Sequence, residues 1–257
     1  MRRTRGGRER TTPPPAGYWE VSREPLEILT FLLPLLAIYE LGLAWWLRSG
    51  PHLMANKAHG GLVDLFRMVG VRAEDLGLPL LSLPMVGLVL TLVVWHVLRR
   101  RPWRVDLGVV GGMAVESAVQ CVPLLPLGML VSRWGAGMSA PDPGDGGTLA
   151  RVAMAAGAGI YEELVFRLAL MSAIHMLLSD VGGWRGPGSW IASAAAAAVA
   201  FALYHPLQSV DGGFATWRFL FLVAGGCWFG LLFHWRGFGI AAGTHAAYDL
   251  MALLLWR

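Results

Sequence analysis

Charged residues are scarce in this sequence. Asp, Glu, Lys and Arg make up 15% of its 257 residues and hydrophobic residues 55%, whereas a soluble domain carries about 25% charge. That composition excludes an ordinary soluble domain and points to a chain embedded in lipid. Cysteine is equally scarce. Cys121 and Cys227 are the only two, and both fall in apolar segments. They form no disulfide framework, redox pair or metal motif, have no nucleophile context, and do not identify the compartment. The ten-residue apolar/polar alternation of a membrane barrel is missing, and so is any internal repeat. A Ser-centred nucleophile elbow and the zinc pattern H-E-x-x-H are absent too. The net charge of +4 comes mostly from two arginine clusters, residues 2–10 and 99–104. These read as orientation signals and lipid-surface contacts, so no nucleic-acid partner is expected.

Long apolar runs are what the chain has in quantity. A bilayer crossing takes about 20 apolar residues. Runs of that kind lie at roughly 25–47, 79–98, 107–131, 149–178, 189–207, 217–235 and 238–256. The expected fold is all-α: a polytopic transmembrane helical bundle of about seven spans. Residues 1–24, with five early arginines and Pro13-Pro14-Pro15, read as a disordered arm. A twin-arginine signal fits poorly, because no apolar core follows at once and no small-residue cleavage site is evident. Residues 25–257 read as one integral-membrane domain. Trp45 and Trp46 suit an interfacial belt. Residues 48–77 fit an amphipathic helix lying on the membrane, or packed outside it. Glu116 and Gln120 are i, i+4 neighbours that can bond each other or serve as bundle contacts. With a cytoplasmic N-terminus, seven spans place twelve Lys/Arg inside and eight outside, which favours that orientation.

The informative stretch is Tyr161-Glu162-Glu163-Leu164-Val165-Phe166-Arg167. Ionisable groups at membrane depth are expensive and mark pairs or sites. At about 100° per residue, Glu163 and Arg167 lie about 40° apart on one helix face, and Glu162 lies about 140° from Arg167. Arg167 is therefore expected to neutralise Glu163 and to leave Glu162 without a partner in its own helix. Ala158 and Gly159, four and three residues earlier, suggest room beside Glu162 for water or a peptide.

Two later spans repeat the four-residue spacing, as Phe201-x-x-x-His205 and His245-x-x-x-Asp249. Gly239, Gly243 and Ala247 form a small face of the last helix that can pack closely on a neighbour. His245 lies about 200° from Gly243, on the other side. Tyr161, Tyr204 and Tyr248 each directly precede a motif residue, as site-orienting donors or as bundle aromatics. His96, His175 and His234 read as helix contacts or interface residues.

Gathered together, Glu162, His205, His245 and Asp249 form a hydrolytic set. A buried carboxylate suits a general base, one histidine can share its water, and the other can donate to an oxyanion. The same groups could bind a divalent metal or mark a proton pathway in a transporter. Glu162-Glu163-x-x-x-Arg167, Phe201-x-x-x-His205 and His245-x-x-x-Asp249, in that order, resemble the CAAX protease and bacteriocin-processing (CPBP) family of intramembrane glutamic endopeptidases. The resemblance covers about the last 110 residues. It implies that Glu162 and His205 activate water, that His245 and Asp249 stabilise the oxyanion, and that Glu163 and Arg167 hold the motif helix. The family also carries asparagine at the position of Asp249. An aspartate donates only when protonated, which leaves orienting His245 as its other role. The implied partners are a membrane-anchored protein or peptide substrate and the bilayer, with no obligatory cofactor, although some members are described as metalloproteases. The implied location is a bacterial plasma membrane. The alternatives are a non-catalytic transporter or immunity-type binder on the same scaffold, and a metal-dependent protease.

Overall fold

The computed structural model describes residues 17–49, 56–72, 75, 82–133, 147–209 and 212–255. Its helices are α1 (Tyr18–Val21), α2 (Pro25–Ser49), α3 (Lys57–Met68), α4 (Leu83–Arg99), α5 (Leu107–Cys121), α6 (Leu124–Arg133), α7 (Gly147–Glu163), α8 (Ser172–Met176), α9 (Pro187–Tyr204), α10 (Thr216–Arg236) and α11 (Phe238–Leu255). Among the described residues there is no strand, only an isolated bridge between Gln208 and Phe214. The chain is an all-α membrane bundle. Among the described residues six helical stretches are long and apolar enough to cross a bilayer: Pro25–Trp45, Leu107–Val131, Gly147–Val181, Pro187–Tyr204, Thr216–Arg236 and Phe238–Leu255. The seventh expected span appears as α4, a shorter apolar helix. Residues 79–81, where that span was expected to begin, lie outside the described residues.

Local sequence explains the breaks. The run at 107–131 is two helices because Pro123 cannot continue α5. Its ring would clash with the carbonyl of residue 119, which instead accepts a three-residue turn bond from Val122. α9 stops at Tyr204 because Pro206 disfavours helical backbone at His205, which is extended at φ −86° and ψ 158°. Gly237, at φ +89°, is the only residue between α10 and α11. Its amide caps α10 through the carbonyls of Leu232 and Phe233, a reversal that suits a glycine. After Glu163 the motif helix widens into a π-helical stretch, Leu164–Met171, then narrows to α8 and widens again over Leu177–Val181. π-helical turns inside α-helices are frequent at functional sites.

The small face of α11 does pack closely. A Cβ on Gly239 would touch Met113 and Ile28, and one on Gly243 would meet Phe31 and Ser117, so this face lies against α2 and α5. The adjacent face of α11, carrying Ala242 and Ala246, meets α7. A Cβ on Gly159 would stand 2.6 Å from the Ala246 amide nitrogen and 2.8 Å from the Ala242 carbonyl oxygen. Gly159 therefore serves close helix approach and does not open space beside Glu162; Ala158, one residue earlier, does line a cavity.

Other polar residues find partners inside the bundle. Glu116 does not bond Gln120. It accepts from Arg236 at 2.6 and 2.8 Å and from the Tyr18 hydroxyl, because a buried guanidinium needs a carboxylate more than an amide does. Arg236 is itself buried against Ser22 and the Trp19 ring, so it is a structural charge and not a free loop cation. This docking orders the end of the segment read as an arm. Tyr18–Val21 are helical and Ser22 is buried, while residues 1–16 lie outside the described residues. Glu27 and Glu40 face protein. Trp45 is exposed, as a belt residue would be, and the Trp46 side chain lies outside the described residues. The expected amphipathic segment forms α3, packed on α4 and α7. Cys121 and Cys227 are free thiols.

The close approach at Gly159 yields a matched pair of substitutions. Gly159→Ala should cost roughly 1–3 kcal/mol, because backbone on α11 cannot yield as a side chain can. Gly111→Ala, on α5 with nothing within 4 Å of the added carbon, should be neutral or stabilise by up to about 1 kcal/mol. Thermal unfolding of both variants in detergent measures the difference.

Candidate active site

Four elements converge on a cavity of about 260 Å³. α7 contributes Glu162, the end of α9 contributes Phe201 and His205, α11 contributes His245, Tyr248 and Asp249, and α10 adds Phe221 and Phe229. Asn56, at the start of α3, completes the wall. The four residues singled out as a hydrolytic set are thus brought to one place. The depths match although Glu162 lies mid-helix and His205 at a helix end. The helix over Gly147–Val181 has 35 residues, about 50 Å at 1.5 Å per residue, well beyond a hydrocarbon core of about 30 Å. Its midpoint therefore need not lie at the bilayer midplane.

The two adjacent carboxylates have different surroundings. Glu163 is fully buried and stands 3.1 Å from Arg167, as the helical angles required. The Arg167 guanidinium donates to the Gly226 carbonyl at 3.1 Å and lies 4.5 Å over the Phe201 ring. Glu162 points the other way. Its Oε1 accepts from Asn56 Nδ2 at 3.1 Å. Its Oε2 is buried with no hydrogen-bond partner and lies 3.5 Å from His205 Nε2 and 3.9 Å from His245 Nε2.

The tautomers follow from what each ring faces. His205 Nδ1 lies 2.8 Å from the Phe201 carbonyl oxygen. A carbonyl only accepts, so Nδ1 carries a proton and Nε2 is the ring nitrogen turned toward Glu162. The i, i+4 spacing of the Phe201 motif is accounted for by this bond to an otherwise unpaired helix-end carbonyl. His245 Nδ1 lies 2.8 Å from Glu163 Oε1, so the side chain that orients this ring is Glu163. Asp249 Oδ2 stands 3.8 Å from His245 Nε2, too far for a hydrogen bond. The orienting role considered for Asp249 therefore falls to Glu163, while Asp249 remains on the cavity wall. His245 stacks on Phe229 at 4.6 Å with 12° between the planes.

The tyrosines split. Tyr161 donates to Glu40 at 2.6 Å, away from the cavity. Tyr204 lies edge-on to His205 and under Lys57. Tyr248 lines the cavity. His96 and His234 make ring contacts with Trp103 and Trp190, remote from the site. Among the described residues no three His, Cys, Asp or Glu form a group placed to hold a metal ion. Sequence reasoning missed Asn56, which is 106 residues from Glu162. An asparagine ahead of a helix signals an N-cap, but nothing in that signal points to a distant carboxylate.

Residues 145–251 match the family model of the type II CAAX prenyl endopeptidases, Rce1-like. This region is a CPBP-family domain. The match spans both carboxylates, Arg167, both histidines and Asp249, and leaves Asn56 and all of α1–α6 outside. No curated protein and no solved structure matches the chain. At the level of the family, the CPBP domain is an endopeptidase domain within a membrane bundle.

The two carboxylates should respond differently to amide substitution. Glu163→Gln leaves the buried Arg167 and His245 Nδ1 without their anion, so folded yield and thermal midpoint should fall, by about 3–5 kcal/mol for a broken buried pair. Glu162→Gln keeps its shape and its contact with Asn56, and should fold nearly as the parent does. Equal loss in the two variants would contradict this division.

Proposed function

We propose that this chain hydrolyses a peptide bond in a membrane-anchored protein or peptide, and that water activated by Glu162 and His205 is the nucleophile. The observation that carries this reading is the pairing of Glu162 Oε2, buried and unbonded, with His205 Nε2 3.5 Å away. In the proposed resting state His205 is neutral, so Nε2 and Oε2 are both acceptors and a water poised at both donates one hydrogen to each. A carboxylate with a single purpose is more economical here than one also neutralising an arginine, and Arg167 has Glu163 for that.

In the proposed reaction, Glu162 takes a proton from the water as its oxygen adds to the scissile carbonyl. The carbonyl becomes an oxyanion, and His245 protonated at Nε2 donates to it. Its Nδ1–H bond to Glu163 fixes the ring for that contact. Asp249, when protonated, supplies a second donor from the same wall. The tetrahedral species then collapses. The carbon–nitrogen bond breaks, Glu162 returns its proton to the leaving amine, and the new carboxylic acid departs. The mostly apolar lining, with Phe201, Phe221, Leu222 and Phe229, suits a hydrophobic segment of the substrate. No step calls on a metal. The setting we propose is a bacterial plasma membrane with a cytoplasmic N-terminus, on the strength of the basic-residue asymmetry.

The test compares the parent with Glu162→Gln and His205→Ala. Membrane proteomes of cells carrying each should show the same full-length membrane proteins accumulating with both variants. Purified parent alone should cleave them, or a farnesylated peptide ending in a CAAX sequence, with the unprenylated peptide as the specificity arm. Both variants should lose at least about a hundredfold in kcat, and the double variant little more, because both groups act on one water. A chelator should leave the parent active; abolished activity would assign the chemistry to a metal. Equal cleavage by parent and Glu162→Gln would refute the glutamate mechanism. Loss of ion-coupled flux without any cleavage would assign the site to transport.

A further inference from the structure

The cavity wall contains one polar residue that the proposed chemistry does not use and that the family match does not reach. Asn56 lies on the segment leading into α3, and all of its hydrogen-bonding groups except one side-chain amide hydrogen have partners; its backbone carbonyl accepts from the Gly60 amide at 2.9 Å in the first turn of α3. Its Oδ1 accepts from the Ala58 and His59 amides, capping α3. That cap settles the orientation of the side-chain amide: Oδ1 faces the helix and Nδ2 faces Glu162, which accepts at 3.1 Å. The Asn56 backbone amide donates to the Tyr39 hydroxyl at 3.1 Å, and that hydroxyl stands 2.6 Å from His59 Nδ1. His59 lies on α3, outside the spanning helices, and burial lowers its pKa. Hydrogen bonds thus link Glu162 to His59 through Asn56, which donates both to Glu162 and to the Tyr39 hydroxyl. Lys57 fastens the same end of α3 to the far side of the site, donating to the Tyr204 carbonyl at 2.9 Å, one residue before His205.

We infer that Asn56 is a positioning residue for Glu162: it ties Oε1 and so reserves Oε2 for the reaction. Resting on the hydrolytic reading above, this assigns the amino-terminal half of the chain a part in the chemistry. A carboxylate free to rotate would offer either oxygen to His205 and would lose the alignment that a shared water requires. With Oε1 held by an amide whose own direction is set by a helix cap, Oε2 has a single orientation, toward His205 and His245. α3 thus acts as a brace docked on α7 and on the end of α9, and its docking is read at the reacting oxygen.

The test uses the whole protein in detergent and the substitution Asn56→Ser. Serine keeps a capping hydroxyl for α3 and removes the amide donor. Infrared difference spectra between parent and Glu162→Gln isolate the carboxyl bands of Glu162. The same difference between Asn56→Ser and Asn56→Ser combined with Glu162→Gln should show those bands displaced. Unchanged bands would overturn the inference whatever the chain hydrolyses. The kinetic arm uses whichever peptide, farnesylated or not, the parent cleaves. Asn56→Ser should lower kcat roughly ten- to a hundredfold, with KM and thermal midpoint close to the parent's. A lower folded fraction with unchanged kcat per folded molecule would mean that Asn56 only caps α3, and would also overturn the inference. If Glu162→Gln keeps parental activity, the hydrolytic reading fails, and the infrared comparison still decides whether Asn56 holds the carboxylate.

Discussion

Arg167 and Glu163 face each other at 3.1 Å with their side chains sealed from solvent, and the rest of the site is built on that pair. An unpaired guanidinium at this position would cost several kcal/mol, whereas pairing, the Gly226 carbonyl and two aromatic faces make it tolerable. The Gly226 carbonyl is within reach because α9 and α10 approach closely there: a Cβ on Gly226 would meet Ala198 at 2.8 Å. The pair therefore ties the motif helix to α10. By accepting from His245 Nδ1, Glu163 ties it to α11 as well. One carboxylate does the structural work of two helix contacts, and its neighbour is left uncommitted.

That division resolves a conflict general to catalysis inside a bundle. Stability favours saturating every buried polar atom, while a general base needs an atom left open. Here Glu162 Oε2 is left open at the cavity, and three neighbouring contacts aim at it without bonding it. The Phe201 carbonyl turns His205 Nε2 inward. Glu163 turns His245 Nε2 inward. Asn56 binds the other oxygen of the same carboxylate. Each orienting contact is a helix-terminal or backbone group, or a charge already buried for another reason, so little additional polar burial is needed to define the site.

The site also draws on residues outside the matched region. The CPBP domain supplies the carboxylates and histidines of the cavity from α7, α9 and α11. The segment before it supplies α2 and α5, which seat the small face of α11, and α3, which reaches Glu162. Tyr18, Ser22 and Arg236 show the same pattern farther away, where Tyr18 donates to Glu116 of α5 and Ser22 accepts from Arg236 at the end of α10. Packing of the two halves is continuous, with Ile28, Leu32 and Leu36 of α2 in one buried cluster with Ile160 of α7 and Ile240 of α11.

Sequence alone was sufficient wherever a contact is local to one helix. The i, i+4 geometry paired Arg167 with Glu163, separated Glu162 from both, and placed His245 opposite the glycine face, because 3.6 residues per turn leaves no freedom in those angles. Long apolar runs likewise marked the membrane bundle. Contacts between helices were not determined this way. Glu116 had Gln120 at helical spacing and chose Arg236 across the bundle, since burying a cation demands an anion wherever one can be brought. Gly159 looked like space and became a contact, because a missing Cβ can admit either a ligand or another helix, and α11 was the one that arrived. Asp249 stood at hydrogen-bonding spacing from His245, yet Glu163 took the ring nitrogen. Asn56 carried only the local signature of a helix cap. Its second bond, to a carboxylate 106 residues away, exists because tertiary packing sets α3 against α7, a juxtaposition that no periodicity within either segment encodes.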